Sequence, residues 1–383
     1  MSKRLLMVLV AVVLVAGVVA TGCSQPTPTT PTTPTTPTTP TTPTTPTTPS
    51  QPAAKVYKWT GQSALPAGNP PTEGLIRISQ SIEAASNGQL LMSANPAGSI
   101  CPATEEWKNI NSGVLDYCAG GGSYMSADLR FGTAFSQLPA GMDPLPNLIF
   151  KKEVGADIMN KWYDQKGWDI YDIPGGGFHG LPEIWISMNK PITGPQDLVG
   201  LKMRASGDCG KVLSNMGVGA VFMPLGEVFE SMQRGVIDAF ECSCPAFNYS
   251  MGMHEAAKYH YMSPSRAPTE VYGFLVSKSK FNELPAHLQA VVEECAGAES
   301  IKYYEMLHGR NAEALQKMVD YGNIIAPLPK SIDEAFVAET KKFYKKEVES
   351  FPELKEYLTA YMAFAKNWQE LYGFPYAVMT SFD

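Results

Sequence analysis

The sequence predicts an α/β fold with a parallel sheet, and three observations carry the prediction. Residues 200–245, GLKMRASGDCGKVLSNMGVGAVFMPLGEVFESMQRGVIDAFECSCP, alternate strand and helix patterns. The chain from residue 56 opens in the same rhythm, strand, helix, strand, helix, strand. Residues 286–321 then carry a helical pattern with no proline, which as one helix extends about 54 Å. That is longer than an ordinary globular helix and suggests an element running along two lobes.

The elements follow in order. Lys3 and Arg4 precede an apolar run over 5–20 and then Thr21, Gly22 and Cys23. Such a run spans about 24 Å as a helix, short of the roughly 30 Å hydrocarbon core, so a signal peptide over 1–22 fits better than a permanent anchor. Small residues before Cys23 resemble a lipobox, with Cys23 as the lipidated first mature residue. PTT repeats continue to Pro49 and SQPAA follows. Proline at every third position favours polyproline II and forbids a packed core, so 23–55 reads as a lipid-anchored, semi-rigid tether.

Beyond the tether, VYKWTGQSA is a strand and 73–86 an amphipathic helix stopped at Asn87-Gly88. QLLMSANPAG is a strand and turn, 102–112 a helix, and VLDYCAGGGSYM a strand that breaks into glycines. Residues 153–166 are helical, and WDIYDIPGGGFHG runs as a strand into a second glycine cluster. Gly175, Gly177 and Gly180 match GxGxxG by spacing. The following LPEIW continues as a strand where a pyrophosphate-binding helix should open, so the cluster reads as a crossover between lobes.

In the central stretch KMRAS is a strand, 208–216 a helix closed by Gly217, AVFMP a strand, 226–234 a helix closed by Gly235, and VIDAFECS a strand. Ligands of parallel sheets collect beyond the carboxyl ends of the strands, where Arg204 and residues 240–245 fall. The expected product is a cleft holding one fixed positive charge. Downstream come a helix over 251–259, a strand over 269–277, the long helix, and helices over 332–350 and 353–372.

A chain of 383 residues with 44% apolar content supports a large core. A net charge of -7 with no Lys/Arg run argues against nucleic acid. The seven cysteines form neither CxxC pairs nor a zinc pattern, and the five histidines are scattered. His254-Glu255-Ala256-Ala257-Lys258 begins like HExxH without its second histidine. GxSxG is absent. A secreted hydrolase and a tethered interaction protein are the rival classes.

GLKMR, the Met/Gly-rich helix after it, MPLGEVFESMQRGVIDAFE and HEAAKYHY together resemble the extracytoplasmic solute-binding proteins of TRAP transporters, in particular the branch that binds 2-oxo or 2-hydroxy acids. The resemblance runs from about residue 57 to the C-terminus. It implies a two-lobed, periplasmic-binding-protein-like α/β fold whose long spine helix lies behind the cleft. Lobe 1 would hold 56–178 with about 267–285, and lobe 2 would hold 179–266. Residues 286–383 would be the spine and C-terminal helices, on which a second subunit can pack as a homodimer. It also implies a small organic acid as ligand, TRAP permease subunits as partners, an extracytoplasmic location and no catalysis.

For the site, the resemblance places the substrate carboxylate on Arg204, whose planar guanidinium suits bidentate pairing. Tyr124, Phe240, Glu241 and Cys242 would line the ligand, Cys242 standing where the branch has tryptophan. Glu241 and Glu270 would hold a bridging Ca²⁺ or Na⁺, a donor set suited to hard cations. The third contributor falls on Glu183 by counting back from Lys190, or on Leu181 by counting from Trp185.

Overall fold

The structure, a computed structural model, describes residues 55–383 except Pro224, Pro375 and Asp383. The expected signal peptide, Cys23 and all of the tether but Lys55 lie outside the described residues. In chain order the strands are β1 (Tyr57–Ser63), β2 (Leu90–Asn95), β3 (Tyr117–Gly121), β4 (Tyr171–His179), β5 (Ile184–Met188), β6 (Lys202–Arg204), β7 (Gly219–Val221), β8 (Ala239–Phe240), β9 (Tyr259–Met262), β10 (Val271–Val276) and β11 (Ile324–Pro327).

They form two sheets, one per lobe. The first has the order β2-β1-β3-β10-β4 and the second β11-β9-β5-β8-β6-β7. In the first, β1 runs parallel to β2 and β3, whereas β10 is antiparallel to β3 and β4. β3 and β10 are buried at every residue, as strands covered on both faces must be. In the second, β6 runs parallel to β7 and β8, and β5 is antiparallel to β8 and β9.

Besides the helix between β10 and β11, two short crossovers join the lobes, one between β4 and β5 and one between β9 and β10. They lie side by side: Gly180 N donates to Glu270 O at 2.7 Å and Glu183 N to Ala267 O at 3.0 Å. The glycines before the first crossover have a steric reason. Gly177 holds φ at +126°, and a Cβ there would stand 2.8 Å from the Tyr272 carbonyl oxygen, which explains the cluster without a dinucleotide.

The helix Ala286–Tyr321 ends at Gly322, whose φ of +105° is the left-handed stop. Leu288, Val292, Ala296, Tyr303, Leu307, Ala314 and Met318 form its buried stripe. It packs on β4 and the helix Pro70–Ala85 in the first lobe, and on the helix Pro245–Ser250 after the second lobe's β8. The helices Lys330–Ser350 and Pro352–Leu371 follow.

Several elements differ from expectation. β8 has two residues where a strand over 236–243 is expected, because the chain turns into the helix Pro245–Ser250 immediately after the site. Residues 324–327, grouped with the C-terminal helices by sequence, add β11 in parallel to β9. The helix expected over 153–166 begins earlier, as Pro144–Phe150, and passes through a π-helical turn, Lys151–Gly155, into Ala156–Lys166. Among the described residues no helix is long and apolar enough to cross a membrane.

Candidate functional site

Parallel register decides where the first charges meet. Arg204 ends β6 opposite Phe240 of β8, so the next residue, Glu241, falls beside the end of β6, and its N–H donates to the Arg204 carbonyl at 3.1 Å. Arg204 Nη1 donates to Glu241 Oε1 and to the Glu241 carbonyl, both at 2.9 Å, and its Nε donates to the Met223 carbonyl at 3.2 Å. Ser206, at the start of the helix Gly207–Asn215, donates to Glu241 Oε1 from its N–H at 2.8 Å and its hydroxyl at 2.9 Å. Arg204 is 6% exposed, and its Nη2 has no hydrogen-bond partner among the described residues.

A second guanidinium, entirely buried, completes the cluster. Arg266, on the crossover before β10, donates from Nη1 to Glu241 Oε2 at 3.1 Å and from Nη2 to Glu183 Oε2 at 2.5 Å. Its Nη2 and Nε also reach the carbonyls of Ile184 and Trp185, each at 3.0 Å. Gln137 Nε2 from the first lobe donates to Glu183 Oε1 at 2.6 Å. Burial pushes the Glu183 carboxyl up and the Arg266 charge opposes this. Because both Glu183 oxygens accept from N–H donors, the carboxylate form is the one this donor set suits.

Glu270 is less well supplied. The Tyr272 hydroxyl donates to its Oε1 at 3.1 Å, and burial pushes its carboxyl up to about 7 against the Tyr272 bond and the charges of Arg204 and Arg266. Tyr124 follows the glycines that end β3. It is 37% exposed by area, yet crowded enough that burial, then the charge of Glu270, pushes its hydroxyl up to about 12. A cavity of about 20 Å³ lies beside Glu270, bounded by Leu65 and Pro70 of the first lobe and by Ser243 and Phe247. That is room for about one water.

The residues singled out by sequence therefore fall into two groups. Arg204, Glu241, Glu183 and Glu270 converge, with Tyr124 at the edge of their field. Glu183 is the buried carboxylate of the first crossover, whereas Leu181 belongs to the apolar core. Phe240 and Cys242 are buried in that same core, at 0% and 7% exposure. Cys101, Cys118, Cys209, Cys242, Cys244 and Cys295 are free, and burial holds their thiols above the ordinary range.

Sequence reasoning passed over Arg266, Ser206 and Gln137. Arg266 had one available signal: it is a solitary cation between Pro264 and Pro268, four residues before a glutamate already singled out. His254, from the HExxH-like run, packs its ring on Tyr249 at 4.3 Å and Tyr321 at 4.9 Å. Among the described residues no group of three His, Cys, Asp or Glu is arranged to hold a metal ion.

With this geometry, residues 61–350 match the model of DctP, bacterial extracellular solute-binding protein, family 7. The chain belongs to this family. DctP-family membership makes it a solute-binding receptor outside the cytoplasm and sets aside the hydrolase and scaffold readings. A Nostoc protein named as a monocarboxylate 2-oxoacid-binding periplasmic protein is 23% identical over 315 residues, 81% of this chain and 84% of its own length. The same two-lobed fold occurs in TRAP periplasmic solute-binding proteins of known structure. That of Colwellia psychrerythraea, with calcium and pyruvate bound, is 24% identical with a TM-score of 0.76, covering 83% of this chain and 98% of its own. That of Pseudoalteromonas atlantica, with sodium and pyruvate, is 21% identical with a TM-score of 0.75, covering 83% and 97%.

Calcium or sodium therefore accompanies the acid in structures of this fold. In this DctP-family chain the Glu183 and Glu241 carboxylates, as arranged, do not fit such an ion. All four of their oxygens accept hydrogen bonds from Arg204, Ser206, Arg266 or Gln137, whereas Ca²⁺ needs six to eight oxygens at about 2.3–2.6 Å.

Proposed function

We propose that this protein is the receptor of a TRAP-type transporter, capturing a small 2-oxo or 2-hydroxy acid between its lobes and delivering it to a membrane permease. The observation that carries the reading is Arg204, held by Glu241 and the Met223 carbonyl with Nη2 left for a carboxylate. A buried guanidinium pairs strongly with such a group and selects its geometry. Tyr124 and Glu270 face the same region from the first lobe and its crossover, and Phe240 and Cys242 form the wall behind the clamp. The Nostoc relative's 2-oxoacid ligand and the pyruvate of the solved structures support the class of acid.

Arg204 is 6% exposed, so the lobes must part for an acid to reach it and close on the ligand. Only contacts better made in the closed state can drive that closure. The reading includes a lipid on Cys23 with the Pro/Thr segment as tether, tested by release of a Cys23→Ser chain from the membrane fraction. A homodimer through the C-terminal helices belongs to it as well. Leu371 and Tyr372 there are 74% and 72% exposed, and light scattering reads the mass.

The first experiment is thermal unfolding against 2-oxo, 2-hydroxy and longer carboxylates. An acid at 100 times its Kd adds about 2.7 kcal/mol, visible as a raised midpoint. A short acid that stabilises supports the reading; a panel without effect sinks it.

A further inference from the structure

We propose that the Arg266 guanidinium supplies, from within the chain, the positive charge that a bound metal ion supplies in solved structures of this fold, so that acid binding here needs no metal. The inference rests on the receptor reading above and deepens it.

The argument begins with position. Arg266 lies between Glu183 and Glu241 and touches one oxygen of each, at 2.5 Å and 3.1 Å. A cation joining these two carboxylates would have to share that place. Guanidinium and cation cannot both sit there, because two positive charges in contact repel strongly in a site shielded from water. Nor can Arg266 swing aside cheaply. The carbonyls of Ile184 and Trp185 accept from its Nη2 and Nε, and its side chain is 0% exposed, so leaving takes from Glu183 Oε2 and Glu241 Oε2 the guanidinium donor each has and removes a donor from each carbonyl.

Glu183 and Glu241 each accept from a guanidinium, and of the three carboxyl groups Glu270 has the fewest donors. An incoming carboxylate meets Arg204 Nη2 with Glu241 already shared between Arg204 and Arg266. Arg266 acts as a positioning residue: it holds Glu241, and Glu241 with the Met223 carbonyl holds the Arg204 fork. It differs from a metal in one further respect. A guanidinium donates in one plane and along fixed directions, so the cluster keeps its geometry in the presence of a chelator.

The test uses the full-length protein with pyruvate and Ca²⁺ as probes. Without acid, CaCl2 in excess over EDTA should leave the wild-type unfolding midpoint unchanged. In Arg266→Gln the freed carboxylates should bind the ion, and Ca²⁺ should raise the variant's midpoint by several degrees. Pyruvate affinity of the wild type should agree within twofold between Ca²⁺ and EDTA. A wild-type midpoint that Ca²⁺ raises and EDTA lowers again overturns the proposal, as does a tenfold or greater loss of pyruvate affinity in EDTA. If Arg266→Gln does not fold, the wild-type arms decide. If no acid binds, the receptor reading fails on its own, and the ligand-free calcium arm still decides the role of Arg266.

Discussion

Arg130 of the first lobe and Asp208 of the second form a bidentate ion pair, Nη1 to Oδ2 at 2.9 Å and Nη2 to Oδ1 at 2.8 Å, with side chains 7% and 0% exposed. The C-terminal helices close over the pair: the Tyr344 hydroxyl donates to Asp208 at 2.9 Å, and Glu347 accepts from Arg130 Nε at 2.8 Å. Asp208 lies two residues after Ser206, in the first turn of the helix Gly207–Asn215, and the contact joins the two lobes directly. Removing one partner leaves the other charge buried, so Arg130→Ala should lower stability by about 3–5 kcal/mol, read by denaturant unfolding. A loss below about 1 kcal/mol would mean that Lys211, 3.3 Å from Asp208, and the Tyr344 hydroxyl satisfy the carboxylate alone.

Arg204→Ala separates binding from folding. Glu241 keeps Ser206 and Arg266 as donors, so the cluster retains its structure while the carboxylate clamp is lost. Acid affinity should fall by about 2–5 kcal/mol, thirtyfold or more, with a near-native circular dichroism spectrum. Calorimetric titration with the best acid of the panel checks it, and unchanged affinity would remove Arg204 from the site.

The pH dependence follows from Glu270. Its folded pKa of about 7 lies above the ordinary 4.5, so between these values the native state holds a proton that the unfolded chain has released. The associated stability is full below about pH 4.5 and is lost as pH rises through 7. The ligand-free midpoint should therefore fall between pH 5 and pH 8, and Glu270→Gln should flatten that slope. Acid affinity should also weaken above pH 7, when an ionised Glu270 faces an anionic ligand. Parallel slopes in the two proteins would show that this carboxyl does not titrate there.

Cys242→Trp tests the wall behind the clamp. Cys242 is 7% exposed in a packed core, and an indole there forces its neighbours to shift. The expected cost is about 1–3 kcal/mol of stability. A stable variant whose ranking of acids moves towards smaller ones would show instead that position 242 opens to the pocket.

The long helix shows what local sequence determines. Its start at Ala286 and stop at Tyr321 were readable because proline absence and Gly322 act within a few residues, and the structure ends the helix at those positions. The strand and helix alternation of residues 200–245 was equally legible, and with it the placement of Arg204 at a strand end. β11 was not: four residues become a strand only when β9 offers its edge, and no periodic signal survives at that length.

The charge cluster depended on the fold in the same way. Glu183, Glu241 and Glu270 could be named from sequence, but their shared partner could not. Arg266 reaches Glu241 across 25 residues and Glu183 across 83, and only the side-by-side crossovers place it between them. Backbone propensity is a property of neighbours along the chain, so the sequence by itself determined the elements and the place of Arg204 at a strand end. Which buried charge answers which is a property of neighbours in space, and the tertiary structure alone decided that Arg266 lies between Glu183 and Glu241.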